Sequence, residues 1–326
     1  MKYSIIIPVY NRPDEVQELL DSLTRQTYKS FEVIIVEDGS TNKCETVVDN
    51  FVDVLDVQYY FKKNAGQGFA RNYGYDRAKG DYFISFDSDC IIPEKYMEIV
   101  DHRLSENFLD AFGGPDKAAD SFTNLQKAIS YAMTSPMSTG GIRGSKKRMG
   151  GAFQPRGFNM GISREAYEKT GGFKLPNMGE DIELSLRLID GGFSTGLIPE
   201  AFVYHKRRAS FKQFYKQIFS FGRSRLKNKQ QIKLVHLFPT MFALAVLLIP
   251  VVPLISSSLS ILQVSVLSLY SLIVFSDAAT KHQNTMVGFL SVRAVWTQLM
   301  AYGLGFIAEF FTSRPPQKKR KPKATK

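Results

Sequence analysis

Apolar and polar positions along the first 200 residues follow two rhythms. Residues 4–9 (SIIIPV) form a run that is almost wholly apolar, as in a strand buried on both faces. Val16, Leu19, Leu20 and Leu23 then recur at i, i+3, i+4 and i+7, which puts them on one side of a helix. Asn11 is placed to cap that helix, with Pro13 early in it and Asp14 and Glu15 in its first turn. Residues 31–36, 57–61 and 81–86 predict further buried strands, the last preceded by a helix over 69–78. Residues 158–163 and 164–170 resume strand and helix, and 181–190 predicts a short helix stopped by Gly191 and Gly192. This order implies an α/β fold with a doubly wound, mainly parallel sheet, whose ligands bind beyond the carboxyl ends of the strands.

The rhythm changes after residue 209. Phe211, Phe214, Tyr215 and Ile218 recur at helical spacing among Lys206, Arg207, Arg208, Lys212, Lys216, Arg223 and Arg225. A basic, aromatic amphipathic helix ahead of an apolar region fits a membrane interface, and packing on the domain is the alternative. Runs 237–254 and 259–275 approach the ~17–25 residues that cross a bilayer and read as a transmembrane hairpin, or else as a buried helix pair. The hairpin returns Lys281 and His282 to the cytoplasmic side. Residues 286–311 are apolar but carry Arg293 and Glu309 and precede a very basic tail, so an interfacial or re-entrant helix suits them better than a third span. The expected domains are 1–209 (catalytic), 210–233 (interfacial helix), 234–311 (membrane helices) and 312–326 (tail).

A net charge of +11 over 326 residues points to an anionic partner. The basic residues crowd beside the apolar segments, which favours anionic membrane lipids over nucleic acid. Cys44 and Cys90, without CxxC spacing, argue against a disulfide framework and fit a reducing compartment. The N-terminus lacks the pattern of a signal peptide, so the first domain is expected in the cytoplasm. The glycine-rich stretch 140–161, with Arg143, Lys146, Lys147, Arg148 and Arg156, is either a solvated loop or a flap that orders over a bound substrate.

Polar residues stand where such a sheet places its ligands. Pro8, Tyr10 and Asn11 end the first strand, Glu37 and Asp38 the second, Asp87 and Asp89 the fourth. Asp87-Ser88-Asp89 puts two carboxylates one residue apart, able to face a divalent cation (Mg²⁺ or Mn²⁺) together with bound phosphates. Glu180-Asp181 follows Gly179 at a helix start. There an acid is a routine cap-region residue or a general base for a hydroxyl.

SIIIPVYNRP, VEDGS at 36–40, NAGQGFARNYGYDRAKGDYFISFDSD at 64–89 and GED at 179–181 together resemble the family 2 inverting glycosyltransferases of the GT-A fold. The resemblance covers roughly residues 1–230, and the apolar segments extend it to bacterial enzymes that build exopolysaccharide or lipid-linked glycans. It implies a Rossmann-like sheet and a nucleotide-sugar donor, typically a UDP-sugar. Pro8, Tyr10 and Asn11 would line the nucleotide pocket, Asp38 would bond the base, and Arg71 would lie near the nucleotide. Asp87 would contact ribose or sugar and Asp89 would ligate the cation. Asp181 matches the base, with Glu180 an acceptor or structural partner. His205 stands where a further ligand to metal or diphosphate often comes from, although a lone histidine is as readily structural. Arg223 and Arg225, in FGRSR, occupy the place of a Q(Q/R)xRW motif whose glutamines and tryptophan are missing, which disfavours processive polymerisation. These arginines hold diphosphate or face lipid headgroups.

The implied reaction is one in-line displacement onto a glycan or polyprenyl-linked acceptor. A glycosidase needs neither nucleotide pocket nor DxD. A nucleotidyltransferase would carry a glycine-rich, Lys-bearing loop where Tyr10-Asn11-Arg12 stands. A non-catalytic nucleotide-sugar binder would be expected to have lost one of Asp38, Asp87, Asp89 or Asp181.

Overall fold

The computed structural model describes residues 1–139, 153–227, 232 and 236–312. Elements follow in the order β1 (Tyr3–Val9), α1 (Pro13–Thr24), β2 (Phe31–Asp38), α2 (Glu45–Asp49), β3 (Val57–Lys62), α3 (Gln67–Tyr75), β4 (Tyr82–Phe86), β5 (Cys90–Ile91) and α4 (Tyr96–Glu106). Next come β6 (Ala111–Gly113), β7 (Asp116–Lys117), α5 (Asn124–Thr134), α6 (Pro136–Thr139), β8 (Asn159–Ser163), α7 (Arg164–Thr170), α8 (Glu180–Asp190), β9 (Thr195–Leu197) and β10 (Val203–His205). Four helices close the described chain: α9 (Phe211–Lys227), α10 (Phe238–Leu247), α11 (Ser257–His282) and α12 (Thr285–Thr312).

The main sheet has the order β3-β2-β1-β4-β8-β6-β9. Its first four strands are parallel, as the alternating pattern predicts. β8 runs antiparallel to both β4 and β6, a reversal that sequence periodicity cannot show. Successive side chains of a strand face opposite ways, so β1 feeds two cores. Ile5 and Ile7 join α1 and α4 on one face, through Leu19, Leu23 and Val100. Ile6, Ile34 and Val36 join α3, α7 and α8 on the other, through Ala70, Ala166 and Leu184. Val16, Leu19, Leu20 and Leu23 are all buried, as their spacing predicts. Asn11 does not cap α1: the N-cap is Arg12, without a side-chain cap bond.

A small second sheet, β5-β10-β7, stands beyond the end of β4. It pairs His205 with Cys90, and Val203 with Asp116.

The chain divides into two compact units, residues 1–211 with 270–295 and residues 212–269 with 296–326. In the first, the far part of α11 packs as protein core through buried Val274 and Ala278, and Tyr131 on α5 donates to Asp277 at 2.6 Å. The start of α12 is likewise buried there at Val287, Ser291 and Ala294. In the second unit, α9 buries Phe214 and Ile218, and Gly222 and Gly305 let α9 and α12 approach closely.

The run 237–254 does not fold as one long helix. It gives the ten-residue α10, turns, and a short 3-10 segment. α11 is the one described helix long and apolar enough to cross a membrane. α12 is continuous over 28 residues, and much of one side is covered by protein. Arg143, Lys146, Lys147 and Arg148 of the proposed flap, and the basic tail from 313, lie outside the described residues.

Candidate active site

The carboxyl ends of β1, β2 and β4 open onto a cleft of about 380 Å³. Pro8, Tyr10, Arg12, Asp38, Asn64, Gln67, Asp87, Ser88, Asp89, Asn177 and Arg208 are among its lining residues. Of the residues expected in a nucleotide pocket, Pro8, Tyr10, Asp38 and Asp87 are thus brought together. Asn11 is not among the lining residues. Its backbone adopts φ 55°, and its side-chain oxygen accepts from the N–H groups of Thr41 and Asn42 at 2.9 and 2.8 Å. It fixes the loop after β2.

Asp38 is buried at the end of β2. One oxygen meets Lys62 at 2.5 Å and the Ala65 N–H at 2.9 Å, while the other accepts from the Gly66 N–H at 2.8 Å. A carboxylate offers about four lone-pair sites, so the oxygen on Gly66 keeps one for a ligand.

Arg71 is not at the cleft surface. It is 1% exposed, and its guanidinium reaches Asp87 at 2.7 Å and Glu180 at 3.2 Å. Gly157 makes room for it, because a Cβ there would stand 2.9 Å from the guanidinium carbon. Glu180 is buried and also accepts from the Gln67 side chain. Burial and neighbouring Asp181 push the Glu180 carboxyl up, against the pull of Arg71. Arg71 therefore links β4 to the start of α8. Gly179, at φ 94°, turns the chain into that helix and sets Asp181 in its first turn. One Asp181 oxygen accepts from the Ile182 N–H at 2.7 Å, the other from the Gly157 N–H at 3.3 Å, and Arg156 lies 3.9 Å away.

Asp89 faces cations. Arg12 pairs with its Oδ2, and Arg208 stands 3.9 Å from the same oxygen. His205 Nε2 lies 3.0 Å from Asp89 Oδ1, yet no donor is aligned on that buried oxygen. Burial works to raise the Asp89 carboxyl, but His205 and Arg12 outweigh it and hold it well below the usual carboxylate range. Behind the imidazole, Asp116 Oδ2 is 3.6 Å from Nδ1 and is itself paired with Arg207. Phe158 stacks on the ring, with centroids 5.2 Å apart.

This donor set fits a divalent cation. A carboxylate oxygen without an aligned donor, an imidazole nitrogen beside it and Asp87 next along the loop suit the oxygen and nitrogen preferences of Mg²⁺ or Mn²⁺. Cys90 Sγ lies within the same 4.8 Å group. Burial and the surrounding acids push its thiol up, and it donates to Phe158 O, so it remains a thiol and a poor ligand for a hard cation.

The basic residues before α9 differ from the expected lipid contacts. Lys206 pairs with Glu18, Arg207 with Asp116, and Arg208 lines the cleft. Arg223 belongs to the second unit, where it donates to Glu309 at 2.8 Å. Arg225 there donates to the Tyr302 hydroxyl at 3.2 Å. Sequence reasoning assigned no role in the site to Arg12, Arg208 or Asp116. Arg12 carried a signal, since it follows a strand whose end faces the ligand. Asp116 carried none, because a two-residue strand has no periodicity.

Two sequence-family models match this chain. Glycosyl transferase family 2 matches residues 4–171, and Glycosyl transferase family group 2 matches residues 114–307. The chain belongs to glycosyltransferase family 2. An uncharacterised glycosyltransferase of Haemophilus influenzae is 32% identical over 64% of this chain and 70% of its own length. Glycosyltransferase AglE of Haloferax volcanii is 26% identical over 69% of this chain and 73% of its own. An uncharacterised glycosyltransferase of Rickettsia typhi is 42% identical, but over only 31% of this chain and 30% of its own. Among solved structures, the mannosyltransferase PcManGT from Pyrobaculum calidifontis, in complex with GDP-Man and Mn²⁺, superposes with TM-score 0.68. It covers 96% of this chain and 88% of its own at 15% identity, a likeness of fold. This glycosyltransferase thus shares its α/β architecture and mainly parallel sheet with a GT-A neighbour.

Proposed function

We propose that this glycosyltransferase moves a sugar from a nucleoside diphosphate donor to a glycan or polyprenyl-linked acceptor beside a membrane, inverting the anomeric centre. The observation that carries the reading is the cleft itself, where Asp38, Asp87 and Asp89 converge with Arg12 and Arg208. Asp38 presents a carboxylate to the base. Arg12 and Arg208 offer guanidinium forks to phosphate oxygens, which suit such bidentate contact. Asp87, held by Arg71, faces ribose or sugar. Asp89 and His205 would hold a divalent cation, which would supply positive charge against the departing diphosphate. Asp181 takes the proton of the acceptor hydroxyl as that oxygen attacks the anomeric carbon. Glu180 is the structural partner in this arrangement, since its carboxylate is committed to Arg71 and Gln67.

The family resemblance favours a uridine donor, while PcManGT was solved with GDP-Man. The deciding experiment therefore uses a panel of UDP-, GDP- and dTDP-sugars and measures metal-dependent release of nucleoside diphosphate from membranes carrying the protein. One donor turned over by the wild type and not by Asp181→Asn supports the reading. Turnover unchanged by that substitution would remove Asp181 from the chemistry. Membrane attachment is assigned to the apolar C-terminal helices, with the catalytic unit on the cytoplasmic face. In α11, 26 residues rise about 39 Å.

A further inference from the structure

The connection between α10 and α11 is built as hydrocarbon-facing structure. No charged side chain occurs between His236 and Asp277. Residues 244–269 are exposed or half-exposed, Tyr270 is the first to reach the protein (its hydroxyl donates to the Met137 carbonyl at 2.6 Å), and the tip is the most exposed part: Leu254 is 85% and Ile255 76% exposed. A loop that emerged into water would ordinarily be polar, and this one reads IPVVPLI over 249–255.

Its backbone is equally unusual. The N–H groups of Leu248, Ile249, Val251, Val252, Leu254, Ile255 and Ser256 each donate to a carbonyl three or four residues back. Positions 250 and 253 are prolines, which have no N–H to satisfy. Ser256 then accepts the Leu259 N–H at the start of α11, and Gln263 spans back to the Ala245 carbonyl at 2.6 Å. Non-helical backbone is ordinarily excluded from lipid because its polar groups go unpaired. From 248 to 256 that objection is met for every donor.

Arm length completes the case. α10 has ten residues, about 15 Å of rise, and the 257–273 part of α11 about 26 Å, both short of a hydrocarbon core of about 30 Å. In the same unit α9 carries exposed Lys212 and Lys216, suited to anionic headgroups.

From these features we propose that residues 238–273 form a re-entrant hairpin, dipping into the hydrocarbon from the cytoplasmic side and returning without crossing. The proposal rests on the membrane assignment above and replaces a spanning hairpin with one whose tip meets only acyl chains.

The test uses the full chain with Ser257→Cys, reconstituted in sealed vesicles with the catalytic unit outward. Native Cys44 and Cys90 are buried and do not compete for label. A membrane-impermeant maleimide is expected to leave the introduced thiol unlabelled from outside and from the lumen, until detergent is added. An environment-sensitive fluorophore at the same position is expected to be quenched by nitroxides deep in the acyl chain, and not by aqueous iodide. Leu254→Cys provides a second position if the first variant loses donor binding, the folding control. Labelling from the lumen would overturn the proposal in favour of a span. Labelling from outside with iodide quenching would overturn it in favour of a water-exposed hairpin, and quenching by neither agent in favour of a protein-covered one. Failure of the wild type to float with vesicles would instead sink the membrane assignment itself.

Discussion

Charge pairing at single residues separates two kinds of acid. Asp181 is partly open, with N–H groups rather than a close cation on its oxygens, so it can accept a proton. Asp181→Asn keeps that shape and removes the basicity. The expected result is a loss of kcat of at least about 100-fold, with donor Kd from calorimetry within about twofold of wild type. Asp89 sits among cations, and Asp89→Ala is expected to abolish the Mn²⁺ dependence of donor binding, checked by titration with and without the ion. Asp116 is expected to act one step back, as a positioning residue. Its carboxylate lies 3.6 Å from His205 Nδ1, where a proton would leave Nε2 to ligate, and Arg207 Nη1 stands 3.4 Å from the same nitrogen. Asp116→Asn is expected to weaken Mn²⁺ binding about tenfold, read by electron paramagnetic resonance of the free ion; unchanged affinity would remove Asp116 from that role. Arg71 has a structural part, because losing it leaves buried Glu180 without its cation. Arg71→Ala is expected to cost about 3 kcal/mol in chemical unfolding, the lower end for a broken buried pair because Asp87 keeps contact with water.

Elements place those residues, and turns place the elements. α8 starts where Gly179 adopts φ 94°, a conformation that strains any residue with a Cβ. Gly179→Ala is expected to cost about 1 kcal/mol and to lower kcat more than donor affinity, because Asp181 moves with the helix start while Asp38 does not. Unaltered kinetics would show that the turn does not set Asp181. The small sheet β5-β10-β7 works similarly for His205. Pairing His205 with Cys90, one residue past Asp89, brings the imidazole to the carboxylate. α1 was legible from its period, and β1, β2 and β4 from continuous apolar runs. β5, β7 and β10 have only two or three residues each, so their sheet became visible only in three dimensions.

At the scale of the whole molecule, the protein joins an α/β unit to helices that carry many exposed large apolar side chains. If those helices enter hydrocarbon, vesicle flotation of the full chain is expected to persist in about 1 M salt. Adsorption through the +11 charge alone would be screened away, since the Debye length falls to about 3 Å. The sequence by itself determined the α/β class, the parallel character of the first strands, the acidic strand ends and the apolar region 234–311. Each of these rests on local periodicity or on residues close together in the chain. Tertiary structure decided what depends on distant segments meeting. It turned Asn11 to a loop, buried Arg71 between Asp87 and Glu180, and brought Arg12 and Arg208 to Asp89. It also set Asp116 behind His205 and broke the run 237–254 into a short helix and a tight connection. Hydrophobic pattern fixes which face of an element is buried. Only packing fixes which charges share the space between elements, because that depends on residues as far apart in the chain as Arg12 and Arg208.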